Sequence, residues 1–364
     1  MTKVACVGLG PRGSYLASMA AELAELTAIC DTNEEELEKT VRLLAQIGVT
    51  GVRCYTSSEE LFAQKDVEAV IIATPLPTHT ELSIAAIEAG KHVYCEIPTF
   101  NTREEAGRLY RTVKAHPEVK FTAAENCCFW GFVESWKKMF ESGQLGEVTF
   151  GEAEYLHGSG NPPEKRTWRS YMPALRYLTH SLGPLLYMLG DECVEVTGFE
   201  PEYNPYSETR PANPNGMAVI RTKAGRLLRV FMGFGAYCPC SHNYSLHGTG
   251  GTLQVQCNLE DDGTEDKQTL AHLKELGGLP YLHGRAGVKL PFDLIIPDRP
   301  IKTLGHGGHG DVAGFKAFLK AVEEDLPAPL DVDFAYQMTM PGILADESAR
   351  AGSVPVKMPT PEEL

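Results

Sequence analysis

Three glycines, Gly8, Gly10 and Gly13, close a buried apolar run at Val4-Ala5-Cys6-Val7, and an acid, Asp31, closes the next one at Ala28-Ile29-Cys30. The spacing G-x-G-x-x-G predicts a pyrophosphate site. Gly8 permits a tight turn, Gly10 lets the backbone approach the ligand, and Gly13 lets a helix pack close to the strand with its N-terminus facing the phosphates. Pro11 and Arg12 complete this loop. An acid roughly 20 residues beyond such a turn accepts hydrogen bonds from a ribose 2′-hydroxyl and repels a 2′-phosphate, so Asp31 favours NAD over NADP, a preference that Arg12 tempers. A second set, Cys238, Cys240 and His242, alternates three soft ligands onto one face of an extended chain. It would suit a divalent metal, with Glu154, His157 and His180 as further donors; the alternative is a strand end with incidental thiols.

The elements that must carry these residues alternate strand and helix over the first third of the chain. Strands are expected at 3–7, 26–30, 52–55, 69–73, 93–96 and 120–123, with helices at 13–23, 34–46, 58–63, 80–89 and 102–115 between them. That order predicts an α/β fold that begins with a Rossmann domain over 1–124. A helix over 131–141 ends at Ser142-Gly143, after which longer alternating strands, 149–156 and 227–234, announce a second domain over 125–364 with a large, mostly antiparallel open sheet. A helix over 178–189 interrupts it, 200–216 reads as loop, and helices over 311–324 and 334–351 close the chain. The polar, Gly-rich stretch 260–289 has no clear assignment.

A chain of 364 residues, 43% hydrophobic and 22% charged, can bury two cores. Its net charge of -15 argues against nucleic-acid and anionic-membrane partners, which reward clustered Lys and Arg. No apolar run reaches membrane-spanning length, and the N-terminus enters the first strand without a signal peptide, so a cytoplasmic protein is expected. Several of its ten cysteines (Cys6, Cys30, Cys54, Cys95) fall in apolar strands and read as small hydrophobes rather than disulfide partners.

Two further segments carry a family resemblance. Ile71-Ile72-Ala73-Thr74-Pro75-Leu76-Pro77-Thr78-His79 and Ala89-Gly90-Lys91-His92-Val93-Tyr94-Cys95-Glu96-Ile97-Pro98 resemble the A-T-P-x-x-x-H and A-G-K-H-V-x-x-E-K-P segments of the glucose-fructose oxidoreductase and inositol dehydrogenase (Gfo/Idh/MocA) family. The resemblance spans the chain. It implies an active site between the two domains, homo-oligomers (dimer or tetramer) built through the C-terminal sheet, and a nicotinamide end shaped by Thr74, Pro75, Glu96 and Pro98. His79, Asn126, Trp168 and Arg169 are implied as further cofactor contacts. Two departures stand out. Ile97 holds the position of the family lysine, and Arg176 holds that of the aspartate in D-x-x-x-H, leaving His180. A polyol dehydrogenase needs a base for the hydroxyl proton, and Ile97 cannot serve.

The segment Tyr177-Leu178-Thr179-His180-Ser181-Leu182-Gly183-Pro184 is similar to Y-x-T-H-G-x-G-P of the family's NAD-dependent glycosidases, of the α-N-acetylgalactosaminidase type. Trp168-Arg169 and Gly305-His306-Gly307-Gly308 resemble their W-R and G-H-G-G elements. The resemblance implies catalytic roles for Tyr177 and His180, and substrate contacts from Ile97, His157, Tyr177, His306 and His309. The implied reaction oxidises a sugar C3 hydroxyl with NAD, removes the acidified C2 proton, eliminates the C1 group, adds water and returns the hydride, unlike the two-carboxylate scheme of most glycosidases. A phenol near pKa 10 acts as a base only when a cation or hydrogen bonds depress it, a task for Arg176, Arg169 or His180. A sugar or polyol oxidoreductase with His180 as the base is the alternative, and a non-catalytic NAD- or sugar-binding regulator is a third reading.

Overall fold

The computed structural model describes residues 1–157, 167–235, 241–257, 267–273, 288–290 and 308–364. Among them the first compact unit comprises 1–129, 308–336 and 359–364. Its strands β1 (Lys3–Val7), β2 (Glu25–Cys30), β3 (Arg53–Tyr55), β4 (Ala69–Ile72), β5 (His92–Cys95) and β6 (Phe121–Ala123) form a parallel sheet of order β3-β2-β1-β4-β5-β6. The helices between them are α1 (Pro11–Leu23), α2 (Glu34–Gln46), α3 (Ser58–Phe62), α4 (His79–Glu88) and α5 (Arg103–Ala115). Strands covered on both faces need unbroken apolar runs, and all four residues of β4 are buried. Side-chain caps set three helix starts: Asn33, Ser57 and Thr102 accept from the backbone N–H groups of Glu35, Glu60 and Glu105. Because β3 lies at the sheet edge, Cys54 is exposed, whereas Cys6, Cys30 and Cys95 pack as small hydrophobes. Burial pushes the Cys30 thiol up to about 11 and that of Cys95 up to about 12, so neither offers a thiolate near neutral pH.

A boundary at residue 124 does not anticipate the helix α8 (Gly308–Glu323), which belongs to this unit. Phe315 and Phe318 complete the core beside Val4, Leu16 and Met19, and Tyr94 of β5 meets the Phe315 ring edge-on at 5.3 Å. Sequence separation hides such packing.

The second unit carries β7 (Val148–Leu156), β8 (Cys193–Phe199), β9 (Asn215–Thr222), β10 (Leu227–Gly233), β11 (Ser241–Gly248), β12 (Gly251–Cys257), β13 (Lys267–Leu273), β14 (Val288–Leu290) and β15 (Val356–Lys357). Their nine-stranded order is β14-β13-β12-β11-β7-β10-β9-β8-β15, in which β7 and β10 run parallel and every other neighbouring pair is antiparallel. The polar stretch without a clear assignment thus contributes β13 and β14, which join through the backbone ladder. The helices are α6 (Gly131–Glu141), α7 (Thr179–Leu189) and most of α9 (Val332–Arg350). Alternation along β7 turns Gly151, Ala153 and Tyr155 to the buried face, and α7 lies on that face, where Leu185 packs near Gly151. No helix among the described residues is long and apolar enough to cross a membrane.

Candidate active site

The glycine turn has the geometry its spacing predicts. Gly8 has φ of +87°, and an added Cβ would lie 2.7 Å from the Thr74 backbone nitrogen. A Cβ on Gly13 would lie 1.8 Å from the Gly8 carbonyl oxygen, so only glycine lets α1 approach β1 this closely. Gly10, by contrast, faces open space, with nothing within 4 Å of an added Cβ. It caps α1 without a side-chain hydrogen bond, and Pro11 occupies the first turn. An open backbone cradle at a 13-residue helix N-terminus fits a pyrophosphate. Asp31 is oriented toward this loop: its Oδ2 accepts the Leu9 N–H at 2.6 Å and its Oδ1 the Asn33 N–H at 2.8 Å. Each oxygen keeps a lone pair for a ribose hydroxyl.

Arg12 is engaged elsewhere. Its Nη1 and Nη2 donate to Asp311 at 2.7 and 2.6 Å, and its Nε donates to Glu96 at 2.9 Å. Although burial opposes its charge, these two carboxylates hold the guanidinium above its usual range. In this geometry its guanidinium is committed to these two carboxylates. His79 is buried and ties two loops together, with Nε2 2.7 Å from the Thr74 carbonyl oxygen and Nδ1 2.8 Å from that of Pro98. It therefore fixes the loops that carry Thr74, Pro75 and Pro98 relative to each other. The Thr74 hydroxyl accepts from Thr78 at 2.8 Å, and Ile97 and Asn126 are buried.

In the second unit Tyr177 ends a 3-10 turn over Ala174–Tyr177, and His180 lies in the first turn of α7. The Tyr177 hydroxyl sits 3.3 Å from His180 Nε2, with the two rings edge to face. Tyr244 of β11 donates its hydroxyl proton to the His180 carbonyl oxygen. Around the pair, Tyr155 stands edge-on to His180 at 5.3 Å, and Phe234 lies 5.6 Å from Tyr177. His242 stacks on Tyr155 at 3.9 Å, and His157 is 5.5 Å from Tyr155. The Arg169 guanidinium lies 4.8 Å from the Trp168 ring and 5.7 Å from that of Tyr177.

Several members of this group escape sequence reading. Tyr155 reads as a strand aromatic, and Arg210 lies in a Pro-rich loop, yet Arg210 donates to the carbonyl oxygens of Arg169 and Met172 at 2.9 and 2.6 Å. It fixes the turn that presents Arg169. Arg176 turns to Asp346 of α9, its Nε donating at 2.7 Å to a carboxylate that also accepts from Arg350 at 3.0 Å. The family's aspartate position thus holds a cation whose nearest carboxylate is internal to the fold.

The expected metal set does not assemble among the described residues. Cys238 and Cys240 lie outside them, and His242 joins no cluster of three metal-ligating groups. Glu154 alternates to the sheet face opposite Tyr155, where it accepts from Asn243 at 2.6 Å, so it is no partner for His242. His306 also lies outside the described residues, and His309 is exposed in the first turn of α8.

Residues 2–123 match the model of an oxidoreductase family with an NAD-binding Rossmann fold, and residues 133–254 match the GFO/IDH/MocA C-terminal domain. The chain belongs to the Gfo/Idh/MocA family. It is similar to a glycosyl hydrolase family 109 protein of Solibacter usitatus, 27% identical over 98% of this chain and 87% of the relative. A second glycosyl hydrolase family 109 protein, from Porphyromonas gingivalis, is 26% identical over 98% of this chain and 84% of its own length. Among solved structures, levoglucosan dehydrogenase in complex with NADH shares the fold with a TM-score of 0.81, at 23% identity over 98% of this chain and 99% of that one. The scyllo-inositol dehydrogenase of Lactobacillus casei, solved with NAD(H) and scyllo-inositol, has a TM-score of 0.76 at 16% identity, over 98% and 99% of the two chains. As a member of the family this chain is an NAD-dependent enzyme, a glycoside hydrolase or an oxidoreductase.

Proposed function

We propose that the chain is an NAD-dependent glycosidase that cleaves a sugar glycoside with no net redox change. The observation that carries this reading is the Tyr177 hydroxyl 3.3 Å from His180 Nε2, beside the Arg169 guanidinium 5.7 Å from the Tyr177 ring. One proton serves the pair. It sits on the phenol and is donated to Nε2, or it sits on Nε2 and is donated to the phenolate, a state the neighbouring cation favours. NAD held by the glycine turn and Asp31 would supply the acceptor for the hydride from sugar C3 and its return after cleavage. His180 takes the C3 hydroxyl proton, the Tyr177 phenol proton passes to solvent so that the pair again carries one proton, and the resulting ketone acidifies the neighbouring C–H. The Tyr177 phenolate then takes the C2 proton, the C1–O bond breaks with its electron pair going to the leaving oxygen, which takes the proton held by His180, and water adds its hydroxyl at C1 as Tyr177 returns a proton to C2 and takes one from that water. The aromatic wall of Tyr155, Phe234 and His157 supports an apolar sugar face.

Incubation with a panel of nitrophenyl glycosides and catalytic NAD is expected to release nitrophenol with flat NADH absorbance. Steady growth of NADH would instead support the sugar oxidoreductase with His180 as base, and no turnover of either kind would sink both. Tyr177→Phe should abolish exchange of the sugar C2 proton with solvent deuterium while NAD still binds; retained exchange removes Tyr177 as the base. The same reading includes a homo-oligomer formed through the outer sheet face, where Val194, Phe199 and Leu227 are exposed.

A further inference from the structure

We propose that the cluster of Arg12, Glu96 and Asp311 sets the redox preference of the bound dinucleotide, favouring the oxidised nicotinamide over the reduced one. The inference rests on NAD binding alone and is independent of the hydrolytic reading.

The sheet order reverses between β1 and β4, and in such sheets the dinucleotide crosses the carboxyl ends of the strands at that point. The glycine turn follows β1 and Asp31 follows β2, which assigns the pyrophosphate and the adenosine ribose to that side. The nicotinamide half is left to the ends of β4 and β5. Glu96 follows β5 directly, and its backbone N–H donates to the Ile72 carbonyl oxygen of β4 at 2.9 Å. It is held there by Arg12, with Nε and Nη2 at 2.9 and 2.8 Å from Oε1.

The cluster is unbalanced. One guanidinium faces two carboxylates at 2.6 to 2.9 Å, so the cluster holds one acid more than base and a formal net charge of minus one. The Asp311 side chain is fully buried and that of Glu96 is 14% exposed, so water screens this charge poorly. Neighbouring groups respond to the same field. Tyr94 is held in its neutral form first by burial and then by Asp311 and Glu96. The oxidised nicotinamide ring carries a positive charge that the reduced ring lacks, so an excess negative charge at this end of the crevice binds the oxidised form preferentially. Asp311 and Glu96 act here as positioning and field-setting groups rather than as catalytic residues.

The test compares the dissociation constants of NAD+ and NADH on the full chain freed of nucleotide, NADH by its own fluorescence and NAD+ by competition. Glu96→Gln should shift the ratio toward NADH by about tenfold. Glu96→Asp, which keeps the charge, should hold the ratio within about twofold. Asp311→Asn should move it in the same direction as Glu96→Gln, and it carries the test if Glu96→Gln fails to melt cooperatively. Equal weakening of both forms, or an unchanged ratio in the folded variants, overturns the proposal.

Discussion

The cofactor cradle of the first unit and the tyrosine–histidine pair of the second are built in opposite ways. The cradle is made of backbone: a glycine with φ of +87°, a glycine whose Cβ would lie 1.8 Å from the Gly8 carbonyl oxygen, and an open helix N-terminus, all contributed by one short segment. The pair is made of side chains whose neighbours arrive on β7, β10, β11 and the turn before α7, and whose spacing depends on sheet register. A backbone site tolerates much change around it and no change at its glycines. A side-chain site is tuned by many residues, each worth less. The two should therefore fail differently.

The largest expected effect separates them by chemistry. Tyr177→Phe or His180→Ala should lower turnover by about 10²- to 10⁴-fold while leaving NAD affinity within about twofold, read by steady-state rates and NADH fluorescence. Gly13→Val should do the reverse of this at the binding level, abolishing NAD-induced thermal stabilisation because its side chain meets the Gly8 carbonyl. If Tyr177→Phe weakens NAD as much as Gly13→Val does, the contrast between the two regions collapses.

A smaller effect is expected beneath the pair. Asp346→Ala leaves Arg176 and Arg350 without their shared, buried carboxylate and should destabilise the chain by roughly 3 kcal/mol in denaturant melts. Its damage to turnover should exceed its damage to NAD binding, since Arg176 precedes Tyr177 directly. An Asp346→Ala protein with the stability of the parent would show that this ion pair does not hold the turn.

The smallest effect concerns pH. Burial, with the Asp346 charge adding to it, pushes the Glu200 carboxyl up to about 7, and its Oε1 is buried without a hydrogen-bond partner. A carboxyl raised in the folded state binds its proton more tightly there, so the stability it contributes is full below the ordinary glutamate value and is lost as pH rises through about 7. Glu200→Gln should match the parent near pH 5 and exceed it by about 1 kcal/mol near pH 8, after allowance for solvent screening. Parallel pH profiles for the two proteins would contradict this.

Much of the first unit is legible in the chain because its signals are local. Unbroken apolar runs mark parallel strands, Asn33, Ser57 and Thr102 mark helix starts, and glycine spacing marks the turn. The second unit is less legible. Strands β13 and β14 carry polar residues and join through backbone ladders, so periodicity does not find them. Tyr177 and His180 are accessible through family motifs, but Tyr155, Tyr244 and Arg210 are not, because nothing in their immediate sequence marks them as neighbours of the pair. The metal reading of Cys238, Cys240 and His242 relies on alternation alone, and on the same alternation Glu154 faces away.

What the sequence determined by itself is the dinucleotide site and its family, since a turn that only glycine can make is encoded within a few consecutive residues. Only the tertiary structure decided what Arg12 does. Local sequence places it in the phosphate loop, but Asp311, supplied by a distant helix, and Glu96, supplied by β5, draw its guanidinium into a buried ion cluster. Charge partners are chosen by packing, and packing joins residues that sequence distance keeps apart.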